Sequence, residues 1–158
     1  MKAVIQRVMS ARVTIKESGD VRSIEQGLVV LLGVSLTDTS ADVRYLADKI
    51  VSLRIFNDES GHMNLAFTDL QEPSMLIVSQ FTLYGDTRKG RRPSFTSAAP
   101  GLVAEPLYRE FVSSIEERGI KVKTGEFGAD MLVDISNDGP VTFLVESVMK
   151  ATDLPNGQ

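Results

Sequence analysis

The sequence contains no cysteine and no tryptophan, and a single histidine, His62. Without thiols, neither a disulfide framework nor a thiolate zinc site can form. One histidine argues against a multi-histidine metal centre or a Ser-His-Asp triad unless His62 itself takes part. His62 follows the turn-forming stretch Asn57-Asp58-Glu59-Ser60-Gly61, where a surface position is the simpler reading. No apolar run is long enough to span a bilayer, and the first residues lack the apolar core of a signal peptide. A cytoplasmic protein is expected, with no metal and no cofactor. Neither sign of charge dominates: 17 Lys and Arg against 21 Asp and Glu give a formal net charge of −4. That balance argues against a protein that coats nucleic acid non-specifically, although it leaves room for a local basic patch.

What is present suits one domain with a real core, because 158 residues are too few for two comfortable ones. Lys2 to Lys16 reads as one long strand or two, with Val4 and Val8 breaking strict alternation. Ser18-Gly19-Asp20 is a turn signal, and Val21 to Glu25 returns as a short strand. Gly27 opens a run, Leu28 to Val34, that is apolar on both faces and predicts a covered central strand. Thr39 and Asp42 resemble a capping box. Val43, Leu46, Ala47, Ile50 and Val51 then carry a 3.6-residue period to about Arg54. Ile55-Phe56 suits a short strand, Met63 to Asp69 shows no clear period, and Met75 to Val78 reads as a buried strand. Pro100 starts a second helix with the stripe Val103, Leu107, Phe111, Ile115, widened by Tyr108 and Val112, and Gly119 lies just past its end. Ile120 to Thr124, Met131 to Ile135 and Val141 to Val145 are further strands, the last two separated by the turn Asn137-Asp138-Gly139-Pro140. Two helices can cover only one face of one sheet. The expected fold is therefore α/β: a single domain, residues 1–149, in three layers of helices, sheet and sheet, with a barrel-like β core and two main helices. Residues 150–158 are expected to form a flexible tail.

Chemistry concentrates in Ser79 to Phe95, S-Q-F-T-L-Y-G-D-T-R-K-G-R-R-P-S-F, directly after the Met75–Val78 run. Polar groups leaving the end of a buried strand are where α/β domains commonly work on substrates. Ser79 and Thr82 are the hydroxyl candidates, but no histidine lies nearby in sequence and the segment is not a G-x-S-x-G elbow. Successive backbone N–H groups, unpaired where a ladder stops, are a better use of such a turn, because they can face a developing oxyanion. Ser79 and Gln80 would then hold the turn or bind substrate. The plainer alternative is that they satisfy backbone groups at a strand end. Arg88, Lys89, Arg91 and Arg92 read either as a solvated loop or as a phosphate-binding strip, with Tyr84 and Phe95 as stacking surfaces for a single-stranded RNA end. Gly139-Pro140, placed directly before a strand, reads either as a plain tight turn or as a rigid pair of carbonyls facing a ligand.

The Ser79–Phe95 segment, together with N-D-G-P-V-T-F-L-V-E-S, M-K-A-V-I-Q-R-V and G-L-V-V-L-L-G-V, resembles the D-aminoacyl-tRNA deacylase family over about residues 1–147. Gly85 stands where many members carry alanine, and 150–158 match nothing. The resemblance implies an enzyme that cleaves the ester between a D-amino acid, or glycine, and the terminal adenosine of tRNA. It implies a homodimer, with active sites at the subunit interface and no membrane partner. Ser79, Gln80, Phe81 and Thr82 would line the catalytic site. Gly139 and Pro140, joined by a cis bond, would reach into the partner's pocket and reject L side chains. Phe127 and Met131 would surround the adenosine. In that scheme the ribose 2′-OH assists water, and N–H groups near Phe81 and Thr82 hold the oxyanion. Two alternatives stand beside it: the same deacylation through a Thr82 acyl-enzyme, and a non-catalytic module that binds the tRNA 3′ end.

Overall fold

The computed structural model describes residues 1–147; the segment 150–158, expected as a tail, lies outside the described residues. Eight strands and two helices follow in the order β1 (Lys2–Ile15), β2 (Val21–Ile24), β3 (Gly27–Gly33), α1 (Ser40–Ser52), β4 (Arg54–Asn57), β5 (Met63–Ala66), β6 (Ser74–Ser79), α2 (Gly101–Glu116), β7 (Lys121–Thr124) and β8 (Met131–Glu146). Six strands form one sheet in the order β2-β1-β3-β6-β7, and β8 pairs with β1 from outside that path. β3 and β6 run parallel, as do β6 and β7; the remaining pairs of this sheet are antiparallel. Each parallel step spans a helix, α1 on the way to β6 and α2 on the way to β7, as parallel neighbours require.

The apolar run at β3 is covered on both faces, for the reason its composition gives. Leu28, Val30 and Leu32 join the buried side chains of α1 and α2, among them Leu46, Ile50, Phe111 and Ile115. Val29, between them, faces a second core with Leu76, Val78, Val13 and Ile15, against which Met131, Val133 and Ile135 of β8 pack. β1 serves both cores: Ala3 and Ile5 lie under the helices, while Ala11, Val13 and Ile15 enter the second layer. Its pairing with β8 slips between Gln6 and Ser10, and this is where Val8 departs from alternation. Helices, sheet and sheet thus form the three layers, with a nearly closed barrel-like β core.

Three local readings change. Val103, read as part of the apolar stripe of α2, is exposed, and Ala104 takes the buried place. Met63 to Asp69, without a legible period, contains the strand β5, which pairs with β4 in a small separate hairpin. Its register is irregular, so neither face alternates cleanly. The expected strands Met131–Ile135 and Val141–Val145 are parts of one strand, β8, running antiparallel to β1 throughout. Val8 pairs with Asn137 and Gln6 with Thr142, so residues 138–141 bulge outward without reversing the chain. Asn137 closes this excursion: its Oδ1 accepts from Val141 N at 3.2 Å, and its Nδ2 donates to Thr142 Oγ1 at 2.9 Å.

Candidate active site

The end of β6 decides the geometry. Gln80 N donates to Leu32 O at 2.8 Å, the last bond that ties this chain to β3. The backbone then enters a single 3-10 turn, Phe81–Tyr84, in which Leu83 N reaches Gln80 O and Gly85 N reaches Thr82 O. The N–H groups that open such a turn have no acceptor within it. Those of Phe81 and Thr82 find no carbonyl or side-chain acceptor among the described residues. Gln80 Nε2 donates to Thr82 Oγ1, which fixes the side chains across the turn.

A cavity of about 450 Å³ opens beside it, lined by Ser79, Gln80 and Phe81 on one side and by Tyr108, Phe127, Asp130 and Met131 on the other. Five of the expected residues therefore meet in one place. Thr82 sits exposed at the turn and does not line the cavity. The aromatic wall is built from α2 and the β7–β8 loop, with the Tyr108 and Phe127 rings 5.6 Å apart. Buried Tyr108 donates its hydroxyl to Ile77 O at 2.9 Å, and burial raises its pKa well above the ordinary phenol value. Ile77 O also accepts from Gly125 N at 3.1 Å, so one carbonyl ties α2 and the loop to the strand that carries the turn.

The basic segment forms a loop closed by paired N–H···O bonds between Asp86 and Ser94. It abuts the turn through Phe95, whose ring meets Phe81 edge-on at 5.0 Å. Arg88 is committed to Asp86 by a bidentate contact, and its guanidinium holds that carboxyl well below the usual carboxylate range. Lys89, Arg91 and Arg92 make no ion pair or side-chain hydrogen bond among the described residues. Tyr84, expected as a stacking surface, is instead half-buried, with Lys2 Nζ over its ring at 5.1 Å. Burial and the nearby Asp38 carboxylate push its pKa up to about 12.

Gly139 and Pro140 are exposed and do not line this chain's own cavity. Their peptide bond is cis, and Gly139 has φ +122°. Beneath them lies Arg7, which is 6% exposed. Its Nη1 donates to Ile55 O at 2.8 Å and to Asn57 Oδ1 at 3.1 Å. Its Nε lies 2.9 Å from Asp138 Oδ2 but off the N–H direction. That contact is Coulombic and the N–H lacks an acceptor among the described residues, because a hydrogen bond needs alignment as well as proximity. Neither Arg7 nor Tyr108 stood out in the sequence. A tyrosine within an apolar helical stripe is itself a signal, since a buried hydroxyl needs a partner; the arginine, flanked by strand residues, gave none.

The D-Tyr-tRNA(Tyr) deacylase family model matches residues 4–146. A D-aminoacyl-tRNA deacylase of Thermosipho africanus is 56% identical over 147 residues, covering 93% of this chain and 97% of its own length. One from Desulfatibacillum aliphaticivorans is 58% identical, with 93% and 99% covered. Among solved structures, a c-Myc DNA unwinding element binding protein superposes with TM-score 0.86 at 43% identity, covering 94% of this chain and 100% of that one. A probable eukaryotic D-amino acid tRNA deacylase shares the fold at TM-score 0.82 and 17% identity, with 92% and 98% covered. The matched span takes in the strand-end turn, the aromatic cavity and the 139–140 excursion alike: the chain belongs to the D-Tyr-tRNA(Tyr) deacylase family.

Proposed function

We propose that this chain hydrolyses the ester joining a D-amino acid, or glycine, to the terminal adenosine of tRNA. The observation that carries the reading is the pair of unpartnered N–H groups, on Phe81 and Thr82, beside a largely apolar cavity with an aromatic wall. Such a cavity suits a nucleobase, which stacks on aromatic rings, and Phe127 and Met131 would hold the adenine there. The ester carbonyl then lies toward the turn. Water attacks the carbonyl carbon, and the developing oxyanion is held by the main-chain donors of Phe81 and Thr82. As the tetrahedral intermediate collapses, the bond from carbon to the ribose 3′-oxygen breaks and that oxygen takes the proton released by the water. The neighbouring 2′-OH, a donor and an acceptor at once, relays it. Ser79 and Gln80 shape the turn and orient the substrate.

Chirality is read by rejection. Gly139 and Pro140 are the exposed residues of the 138–141 excursion, which sits on β8, whose second edge has no strand partner among the described residues. A second copy docked there brings its Gly139 and Pro140 carbonyls into the cavity, where an L side chain collides and a D side chain points outward. Glycine, with no side chain, passes. Lys89, Arg91 and Arg92 receive the phosphates of the acceptor end. A tRNA substrate agrees with a cytoplasmic setting, and no described helix is long and apolar enough to cross a membrane.

The test follows ester loss from D-tyrosyl-, glycyl- and L-tyrosyl-tRNA. Loss of the first two only is expected. Retention of all three alongside measurable tRNA binding would instead favour a non-catalytic 3′-end-binding module.

A further inference from the structure

The sheet path begins at β2 and ends at β7, so among the described residues these two strands are the ends of that path. They are not hydrogen-bonded as neighbours, yet one side chain spans between them. Arg22, on β2, donates from Nη1 to Thr124 O at 3.0 Å and to Gly125 O at 3.2 Å. Its Nε and Nη2 are taken by Asp20 Oδ2 at 2.9 and 2.8 Å, which fixes the orientation of the guanidinium. Thr124 is the last residue of β7, and Gly125 opens the loop that carries Phe127 to Asp130.

That loop has little slack. A Cβ on Gly125 would lie 2.5 Å from Met131 Sδ, so its backbone already rests against one wall of the cavity. Phe127 leans on Tyr108. The far end is held by the same hairpin that supplies Arg22: Lys16 N donates to Asp130 O at 3.0 Å, and Lys16 Nζ to Asp130 Oδ2 at 3.0 Å. A shift at Gly125 therefore passes directly to Met131 and Phe127.

We propose that Arg22 is a positioning residue for the adenosine end of the substrate: it clasps the two ends of the sheet path, β2 and β7, and so sets the loop that walls the cavity. This rests on the reading of that cavity given above. Beyond the Gly125 N–Ile77 O bond that joins the loop to its strand, the catalytic turn has holds that the loop does not share, Leu32 O and the Phe81–Phe95 contact. Loss of the clasp therefore weakens binding of the RNA end and spares the chemical step.

The experiment compares Arg22→Ala, Arg22→Lys and Asp20→Asn with the parent on D-tyrosyl-tRNA. Arg22→Ala should raise KM about tenfold, as expected when a charged hydrogen-bond pair to the main chain is lost, with kcat within about twofold. The Kd of a non-hydrolysable 3′-aminoacyl adenosine analogue should weaken by the same factor. Lysine, which keeps the charge but not the fork, should restore part of the affinity, and Asp20→Asn should fall between. A merely structural role lowers the active fraction, which reduces apparent kcat and leaves KM and the analogue Kd unchanged; that pattern would overturn the proposal. An unchanged KM in all three variants would overturn it too. Should Arg22→Ala fail to fold, the analogue Kd of Arg22→Lys and Asp20→Asn decides. A parent protein that leaves D-tyrosyl-tRNA intact refutes the functional reading itself, which separates the two failures.

Discussion

Thr82 and Gly139 are the single residues on which most turns. Thr82 Oγ1 already accepts from Gln80 Nε2, and among the described residues no histidine or lysine lines the cavity to take its proton. Thr82→Val keeps the main-chain donor and the side-chain shape. Hydrolysis of D-tyrosyl-tRNA should stay within about threefold of the parent, a loss under about 1 kcal/mol in transition-state terms. A trapped acyl adduct on Thr82 in the parent, paired with a dead variant, would overturn the main-chain scheme. Gly139 holds φ +122°, and a Cβ there would meet Val141 Cγ2 at 2.6 Å. Gly139→Ala must therefore distort the excursion, at a cost on the order of 1–3 kcal/mol. A lower thermal midpoint is expected, together with a rise in L-tyrosyl-tRNA cleavage relative to D. Unchanged discrimination would detach the turn from chirality. At this scale the sequence was only half informative. Ser79, Gln80, Phe81, Phe127 and Met131 are five residues from two distant segments that share one cavity. Tyr108 and Arg22 bear on the same cavity but were read as helix stripe and strand, because their partners are carbonyls, which no sequence motif advertises.

Among the elements, the Asp86–Ser94 loop makes the clearest prediction. Arg88 is neutralised locally by Asp86, so it adds less to the field seen by an incoming phosphate than the count of four cations implies. Arg91→Ala combined with Arg92→Ala should weaken tRNA binding and lower the salt slope, in a plot of log K against log salt, by about 1.4, or about 0.7 per lost single-strand phosphate contact. Arg88→Ala should change that slope less; an equal change would show that Asp86 does not compete. Strong periodicity was legible here. The capping box at Thr39 and Asp42 and the buried stripe of α1 form as read. The continuity of β8 was not legible. Asn137-Asp138-Gly139-Pro140 carries every mark of a chain reversal, and only pairing of both flanks with β1 shows the strand resuming its course. That information lies in a partner well over 100 residues away, beyond any local pattern.

For the whole molecule, the exposed second edge of β8 is the feature to test. Exposed Leu132, Phe143 and Leu144 lie on this strand, that edge has no strand partner among the described residues, and an open edge flanked by apolar side chains invites pairing with another chain. Light scattering should report twice the mass of one chain. Leu132→Glu combined with Leu144→Glu should yield single chains that keep their helical circular dichroism yet lose D-tyrosyl-tRNA hydrolysis, because each cavity would lack its neighbour's excursion. Full activity in a proven single chain would remove the second copy from the site. The layered core itself was readable, because β3 and β6 are apolar on both faces and could sit nowhere but between two layers.

An amide at position 81 or 82 comes with every amino acid except one. Descendants of this chain can exchange Thr82, and can exchange Phe81 for a side chain that still packs on Phe95, and hand down the same two donors. Only an imino acid erases one of them. Loss of catalysis by a lone point change should therefore be rare there and should fall on proline, so that Thr82→Pro silences hydrolysis where Thr82→Val does not.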